Sequence, residues 1–410
     1  MSLLFRFPPV NAACATVSAL VFSVISAPGS DWPSLRGPDH NGISTETGIK
    51  TSGELPIAWK AEVGLGFSAI VVAGDRAFTL GHDGKNQDTV WCFDTASGDV
   101  VWKHSYEHPL DDLYFPGGTT GTPTVDGEHV FTVARRGQLF CLDTKTGAVV
   151  WQKHLTDDFG CRMPDWGFTG SPRVFGSTLL LNAGDAGLAL DKSDGSVVWQ
   201  SDANVECGYS TPYLFTRGSK PLGIFSSKNG YTCLDVSDGT PLWFFKHKTR
   251  YGVNATEPVM KDNLIFLSTG YDKGSAALEW DGIGEPEELW RTREYQNQMN
   301  TSLLIGGRLF GINGNEGKED TGLVCLNPAN GEIVWSEPSI GHGAVSAAGS
   351  YLIVLTEKGV LQIGPASGGG FEPSLRQQVL GPKCWTVPVL ANGQIYCRNG
   401  NGQVVVLKAK

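Results

Sequence analysis

Several aromatic and amide side chains recur just before a repeated Ser/Thr-Pro pair that opens a hairpin, as in GTPTVDGEHVFTVA and TVPVLANGQIYCRN. Alignment of these segments brings together the residues three and four positions before the proline position, along with residues of the nearby turns. The candidates for one shared binding site are Phe67, Arg136, Trp166, Phe168, Tyr209, Asn254, His342, Trp385 and Arg398. Rings with scattered amides, hydroxyls and one imidazole suit a planar or sugar-like ligand.

The same residues also allow simpler interpretations. The rings could merely fill a channel, and a single histidine such as His342 is more often a structural hydrogen-bonding group than a base. Cations in the turns, including Arg136 and Arg398, have acidic neighbours, which is typical of a solvated face. No metal site is predicted, because one nearby histidine and no CxxC motif offer too few ligands. The sequence has no GxSxG, HExxH, P-loop or CxxCH motif.

A second repeated motif indicates the elements that would position these residues. It consists of Cys or Ala, a hydrophobic residue and Asp, then a polar turn that ends in Gly, and finally Trp. The clearest copies are WCFDTASGDVVW (91–102), FCLDTKTGAVVW (140–151), LALDKSDGSVVW (188–199), TCLDVSDGTPLW (232–243) and VCLNPANGEIVW (324–335). With a looser copy at 276–290, the Trp residues lie 44 to 49 residues apart, which is about the length of a four-stranded blade.

Each part of the motif has a physical role. Asp can accept hydrogen bonds from turn amides, Gly can take the positive φ of a tight hairpin, and Trp can fill the space between blades. One slot alternates between Cys and Ala, which predicts a small buried site with free thiols at Cys92, Cys141, Cys233 and Cys325. The sequence leaves open the disulfide state of Cys161, Cys207, Cys384 and Cys397.

The two ends of the chain complement each other. The segment around Trp59 is a Trp strand with no partner before it, and the C-terminal VVVLKAK is a strand with no Trp strand after it. We therefore predict an all-β fold, an eight-bladed β-propeller of four-stranded blades, closed by pairing of the Trp59 strand with the C-terminal blade. The count includes a divergent seventh blade around GVLQIGPASGGGFEP; a seven-bladed ring would require discarding it.

The N-terminal stretch predicts export. Residues 1–27 carry one charge and an apolar run, which is typical of a signal peptide cleaved near Ser26 or Ala27; an uncleaved membrane anchor is the alternative. Residues 28–54 would form an N-terminal arm and 55–410 the propeller. The expected location is the periplasm, the cell envelope or the medium. The formal net charge of −10 argues against a nucleic-acid partner.

From about residue 55 to the C terminus, the repeat resembles the pyrroloquinoline-quinone (PQQ) repeat of quinoprotein alcohol dehydrogenases. It also resembles that of the propeller lipoprotein of the bacterial outer-membrane β-barrel assembly machinery. The segment DWPSLRGPDHNGIS is similar to the start of secreted PQQ-like propellers of planctomycete-type bacteria. The resemblance implies the fold strongly and an activity only weakly.

If this chain had the activity of the dehydrogenases, the resemblance implies a cofactor site with adjacent cysteines, a Trp under the quinone, a calcium ion and an Asp base. This chain has no Cys-Cys pair, although Trp166 or Trp385 could stack, Asn254 and Glu206 could bind calcium, and Asp165 could be the base. PQQ and calcium are therefore expected only under an alternative function.

Three functions follow as hypotheses. The leading one is a non-catalytic binding or assembly platform in the cell envelope, a monomer whose partner is an envelope protein or a small-molecule or saccharide ligand. The alternatives are a PQQ- and calcium-dependent alcohol or sugar dehydrogenase and a secreted carbohydrate-active hydrolase or lyase.

Overall fold

The computed structural model describes residues 30–113 and 115–410. The predicted signal peptide at 1–27 lies outside the described residues. Within them, the chain is almost entirely β-strand, with one short 3₁₀ helix at Pro338–Ile340. No described helix has both the length and the apolar character that crossing a bilayer would require.

Eight sheets surround a central axis; six are built of four consecutive antiparallel strands, and the other two each include a strand from the N-terminal part of the chain. Two strands precede the first complete blade, β1 (Ile43–Ser44) and β2 (Ile57–Glu62). Blade 1 comprises β3 (Val71–Ala73), β4 (Arg76–His82), β5 (Gln87–Asp94) and β6 (Val100–Glu107). Blade 2 comprises β7 (Thr124–Asp126), β8 (His129–Val133), β9 (Gln138–Asp143) and β10 (Val149–His154). Blade 3 comprises β11 (Arg173–Phe175), β12 (Thr178–Leu181), β13 (Leu188–Asp191) and β14 (Val197–Gln200).

The next three blades repeat this order. Blade 4 comprises β15 (Tyr213–Arg217), β16 (Lys220–Ser227), β17 (Gly230–Asp235) and β18 (Pro241–Lys246). Blade 5 comprises β19 (Val259–Lys261), β20 (Leu264–Thr269), β21 (Gly274–Glu279) and β22 (Glu287–Thr292). Blade 6 comprises β23 (Leu303–Ile305), β24 (Arg308–Asn313), β25 (Gly322–Leu326) and β26 (Ile333–Glu337). The first strands of neighbouring blades contact each other around the axis, and the Trp strands lie outermost.

The last two blades depend on the N-terminal part of the chain. Blade 7 comprises β27 (Ala344–Ala348), β28 (Tyr351–Leu355), β29 (Val360–Pro365) and β30 (Leu375–Gln378), and β1 adds a fifth, parallel strand beside β27. Blade 8 comprises β31 (Val389–Ala391), β32 (Gln394–Arg398) and β33 (Gln403–Lys408), and β2 completes it in the antiparallel register Trp59↔Val406. The predicted eight-bladed ring and its closure through Trp59 are confirmed.

The repeated Trp residues hold neighbouring blades together. In six blades the indole N–H donates to a backbone carbonyl in the turn of the next blade; in blade 1, for example, Trp102 Nε1 lies 2.9 Å from Thr144 O. The other five such donors are Trp59, Trp151, Trp199, Trp290 and Trp335. Each ring also buries apolar surface between the two blades that it joins. The interpretation of these aromatic residues as core is confirmed.

The turn that receives each indole has a strict backbone requirement. Asp143 Oδ1 accepts from the amides of Lys145 and Thr146, which orders the turn, and Gly147 then takes a φ of +71°. A Cβ atom at Gly147 would lie 2.5 Å from the Trp102 ring. Asp and Gly therefore shape a shallow seat for the Trp of the preceding blade, as the motif predicted.

Cysteine fills the predicted small slot. Cys92, Cys141, Cys233 and Cys325 are completely buried and free, and Ala189 occupies the same position in blade 3. The four cysteines whose state was open, Cys161, Cys207, Cys384 and Cys397, are also free and buried. Burial raises the pKa of the Cys141 thiol to about 12, so these thiols are unreactive at neutral pH.

The Ser/Thr-Pro motif forms an inner belt around the channel. The amide of Ala69 donates to Thr122 Oγ1 at 3.0 Å, the amide of Thr122 to Ser171 Oγ at 3.0 Å, and that of Ser171 to Thr211 Oγ1 at 2.9 Å. Each hydroxyl thus satisfies an amide of the blade before it. This bonding explains why a hydroxyl residue recurs at this position.

We expect Gly147→Ala to destabilise the fold more than Gly160→Ala. Both residues have a positive φ, but a Cβ at Gly160 has no atom within 4 Å, so only backbone strain of about 1–2 kcal/mol applies there. Gly147→Ala adds a clash with Trp102, for which overpacking costs about 1–3 kcal/mol more. Denaturant unfolding of both variants measures the difference; equal losses would show that the Trp seat carries no stability.

Candidate functional site

The N-terminal arm closes one end of the central channel. Trp32 pairs with Val72 of blade 1, the amide of Val125 in blade 2 donates to Pro33 O at 2.8 Å, and the amide of Ala347 in blade 7 donates to Gly42 O at 3.1 Å. The arm is thereby bonded to the inner strands of blades 1, 2 and 7. What remains is a cup of about 290 Å³ with its floor on the arm and its mouth at the other end.

An ion pair forms part of the floor of this cup. Arg36 Nε lies 3.1 Å from Glu257 Oε2, and the two terminal nitrogens of Arg36 donate to the backbone carbonyls of Thr301 and Ser302. Both charged side chains are buried, and burial raises the pKa of the Glu257 carboxyl to about 7. Glu257 takes the position in blade 5 that a hydroxyl residue of the inner belt takes in other blades. Because Arg36 belongs to the arm and Glu257 to the ring, their ion pair fixes the arm to the ring.

Aromatic rings form the upper wall. Phe67 and Trp385 stack with their centroids 4.7 Å apart and an interplanar angle of 17°. Across the cavity, Trp166 and Tyr209 meet edge to face at 5.9 Å. These four predicted residues all line the cavity, so the sequence alignment brought together the correct positions of blades 1, 3, 4 and 8.

His342 lies behind the wall rather than in it. It is 2% exposed and its ring meets Trp385 edge to face at 5.6 Å, while its amide donates to Glu357 Oε2 at 3.1 Å. Burial lowers the pKa of its imidazole to about 4, so the ring is neutral at physiological pH. The structure therefore gives His342 a supporting position beneath Trp385.

Four other predicted residues do not line the cavity, and their placement is corrected. Phe168 packs in the core between blades 2 and 3, and Asn254 is fully buried, with its amide donating to Ser227 O at 2.8 Å. They lie one position before Thr169 and Ala255, which do line the cavity, and alternation along an extended chain turns them away from the axis. Arg136 is exposed and pairs with Asp111 at 2.7 Å.

Arg398 is the fourth of these residues. It is 1% exposed, and its guanidinium donates to the carbonyls of Ser68, Leu80 and Gly64 and to Thr79 Oγ1. Its position in a turn predicted a cation at the mouth. Its long side chain instead bridges blades 8 and 1 from within, where backbone carbonyls satisfy it.

Sequence reasoning missed several wall and floor residues. Phe115 comes from the loop between blades 1 and 2, and Tyr271 and Gln298 come from blades 5 and 6. Arg135, not Arg136, reaches the cavity, where its guanidinium lies 4.5 Å from the Phe115 ring centroid and donates to Trp166 O. Alternation of side chains along the turn could have shown that Arg135 and Arg136 point in different directions. No repeated sequence signal marked loop residues such as Phe115.

A buried polar cluster lies at the top of blade 1. His82, Asp88 and His108 offer ligand atoms within 4.8 Å of one another. Existing hydrogen bonds use both nitrogens of His82: the Gly84 amide donates to His82 Nδ1, so His82 Nε2 carries the proton and donates to His108 O at 2.9 Å. Asp88 Oδ1 and His108 Nε2 are buried without a partner. His108 Nδ1 donates to Pro109 O. A metal ion held by all three residues would have to displace one of the His82 bonds, and the absence of a metal site stays a prediction.

Comparison with known proteins agrees with this architecture. A family model described as outer membrane protein assembly factor BamB matches residues 86–337 and 319–410. The chain belongs to this family of PQQ-repeat β-propellers. The comparison with curated proteins gives no match.

Solved structures of other PQQ-repeat propellers share the fold. BamB from Moraxella catarrhalis is 17% identical with a TM-score of 0.63, covering 87% of this chain and 100% of that one. Quinohemoprotein alcohol dehydrogenase from Comamonas testosteroni is 14% identical with a TM-score of 0.66, covering 94% and 81%. A europium-containing methanol dehydrogenase is 13% identical with a TM-score of 0.64, covering 92% and 89%. At these identities the likeness extends to the fold alone.

The cavity of this PQQ-repeat propeller does not fit a quinone with calcium. Of the carboxylates in its described lining, Glu257 is paired with Arg36 and Glu316 with Lys383. The two calcium ligands suggested by resemblance are elsewhere, since Glu206 pairs with Arg162 at 2.8 Å and Asn254 is buried. A hard cation needs several converging oxygen ligands, which these residues do not provide.

Asp88 gives a testable pH dependence. Burial raises the pKa of its carboxyl from 3.8 to about 7, so its stabilising contribution is complete below pH 3.8 and is lost as the pH rises through 7. Asp88→Asn should remove this loss, by up to about 1.4 kcal/mol per pH unit. Burial also raises the pKa of Glu257, so its contribution to stability changes with pH in the same direction. Glu257 is present in both the wild type and Asp88→Asn.

Denaturant unfolding across this pH interval measures the effect. The exposed Asp112→Asn, in the loop that follows blade 1, is the control and should keep the wild-type slope. An unchanged slope in Asp88→Asn would show that Asp88 titrates normally in the folded protein.

Proposed function

We propose that this chain is a non-catalytic binding platform of the cell envelope, whose central cup takes a small, largely uncharged ligand with a planar or sugar-like face. The observation that carries the proposal is the cup itself, closed at one end by the arm and walled by Phe67, Trp166, Tyr209 and Trp385. Concave sites of this size with aromatic walls and few polar groups are typical of small-molecule binding.

The polar groups of the cup favour binding over catalysis. Arg36 and Glu257 neutralise each other, and Arg135 donates to the carbonyls of Trp166 and Asp111. A general acid or base needs a titratable group free to exchange a proton with the ligand. The buried charges of the cup are engaged with the protein, so an uncharged ligand suits them better than an ionic one.

Location in the envelope rests on two supports. The family model that matches is described as an outer membrane protein assembly factor, and residues 1–27 have the composition of an export signal. The family description also favours a second candidate, an assembly role with an envelope protein as partner. Recovery of one defined envelope protein with the purified chain, from extracts of its own cell type, tests that role.

Trp385→Ala should weaken ligand binding about 5- to 150-fold, because a stacking ring supplies about 1–3 kcal/mol to a flat ligand. The probes are neutral, uronic-acid and sulfated oligosaccharides, and PQQ with calcium, each titrated into the full chain by calorimetry. Tyr351→Ala removes an exposed aromatic side chain outside the cup and should leave affinity unchanged.

The outcomes separate the hypotheses. Binding of a neutral oligosaccharide that Trp385→Ala weakens supports the proposal. Saturable binding of PQQ with calcium, together with dye-linked turnover of an alcohol, would replace it with the dehydrogenase. Release of cleaved saccharide would replace it with the hydrolase or lyase, and undiminished affinity in Trp385→Ala would place the ligand outside the cup.

A further inference from the structure

Four arginines are buried in the described part of the chain, and three have partners. Arg36 pairs with Glu257, Arg135 donates to two backbone carbonyls, and Arg398 donates to three carbonyls and one hydroxyl. The fold therefore satisfies a buried guanidinium either with a carboxylate or with several carbonyl oxygens. This is the ordinary requirement for burying a charge.

Arg173 is the exception. It is the first residue of β11, on the inner strand of blade 3, and is 4% exposed. Within the described residues its side chain makes no hydrogen bond or ion pair, and its Nε is enclosed without an acceptor. Burial lowers its pKa only to about 10, so it remains a cation at neutral pH. An unpaired buried charge is strongly destabilising unless an anion accompanies it.

The neighbours of Arg173 compensate its charge only in part. Glu257 and Arg36 are close enough to act on it electrostatically, but Glu257 already pairs with Arg36 at 3.1 Å. Two guanidinium groups thus share one carboxylate. Tyr213, at the equivalent position of blade 4, contributes a hydroxyl, and burial raises its pKa, so it stays a neutral hydrogen-bond donor.

Alternation along the inner strand directs Arg173 toward the axis. Ser171 and Thr169, two and four residues before it, line the central cup, and residues of the same parity lie on the same side of an extended chain. Arg173 therefore projects at the level of the arm, beyond the floor of the cup.

A second pocket, of about 400 Å³, lies at this end of the channel. It lies between the arm and the inner hairpins of blades 4 to 6. Its polar lining includes Arg36, His40, Asn41, Tyr213 and Lys261. Arg173 is not part of this lining, but it holds in blade 3 the position that Tyr213 holds in blade 4. No described Asp or Glu lines it; Arg36 is neutralised by Glu257, and Lys261 leaves the lining with a net positive charge although the whole chain is acidic.

We propose that this end of the channel binds a small oxyanion group, a phosphate, sulfate or carboxylate, between Arg173 and the Tyr213 hydroxyl. The planar guanidinium offers two parallel N–H donors that match two oxygens of such a group. The site lies on the arm side of the channel, opposite the mouth of the cup, and does not depend on the function proposed for the cup.

The test titrates the full chain, at neutral pH and constant ionic strength, with inorganic phosphate, sulfate or acetate against chloride. Calorimetry and the thermal midpoint are the readouts. At least one of the three anions should bind saturably and raise the midpoint, and the ranking of the three identifies the group. Arg173→Met should lower that affinity at least about tenfold, because a charge-assisted bond to a buried guanidinium is lost.

Matched variants separate a local site from general charge effects. Arg173→Met should be at least as stable as wild type in chloride, because it replaces an unpaired cation with an apolar side chain of similar length. Tyr213→Phe keeps the fold and removes only the hydroxyl, so it should also weaken binding. Arg76→Gln, which removes a cation that is paired outside this pocket, should bind the anion as wild type does.

Two results would overturn the proposal. One is a wild-type chain whose midpoint and heat of titration respond to none of the three anions. The other is an equal response in wild type and Arg173→Met or, if Arg173→Met does not fold, in wild type and Tyr213→Phe.

Discussion

The contact between each outer-strand Trp and the turn of the next blade is the constraint on which the ring depends. Trp102 places its indole N–H on Thr144 O and its ring against Gly147, and the same arrangement recurs around the propeller. A hydrogen bond fixes the direction of the ring, and a glycine with positive φ leaves room for it. Each blade is thereby oriented by the one before it, and the inner strands are brought to one axis.

The sequence was sufficient to predict the ring because its determinants are local. Asp143, Gly147 and Trp102 each act within one turn or across one blade interface, so their spacing carries the information. The Cys/Ala slot was predictable for the same reason. The departures are also local: Trp243 packs against Trp280 at 5.8 Å instead of bonding a turn carbonyl, and the outer strand of blade 7 has no Trp.

The cup was only partly predictable. Phe67 and Trp385 were found because the repeat aligns them, whereas Phe168 and Asn254 were misplaced because a one-residue offset in an extended chain reverses a side chain. The floor could not be read from any repeat. The arm is used once, and its partners, such as Glu257 for Arg36, lie more than two hundred residues away. The unpaired state of Arg173 likewise depends on which groups surround it in space.

Closure of the ring through β2 and β33 also sets an order of events in folding. Trp59 pairs with Val406, and Lys50 of the arm donates to Ala409 O, so residues near the two ends of the chain must meet. Blades 1 to 6 can form from contiguous segments while synthesis continues, but the last seam must wait for the final strand. During that interval β2 has an unpaired edge, and bringing it to its partner carries the entropic cost of closing a very long loop. Completion of the ring is therefore a late step that no single blade can perform.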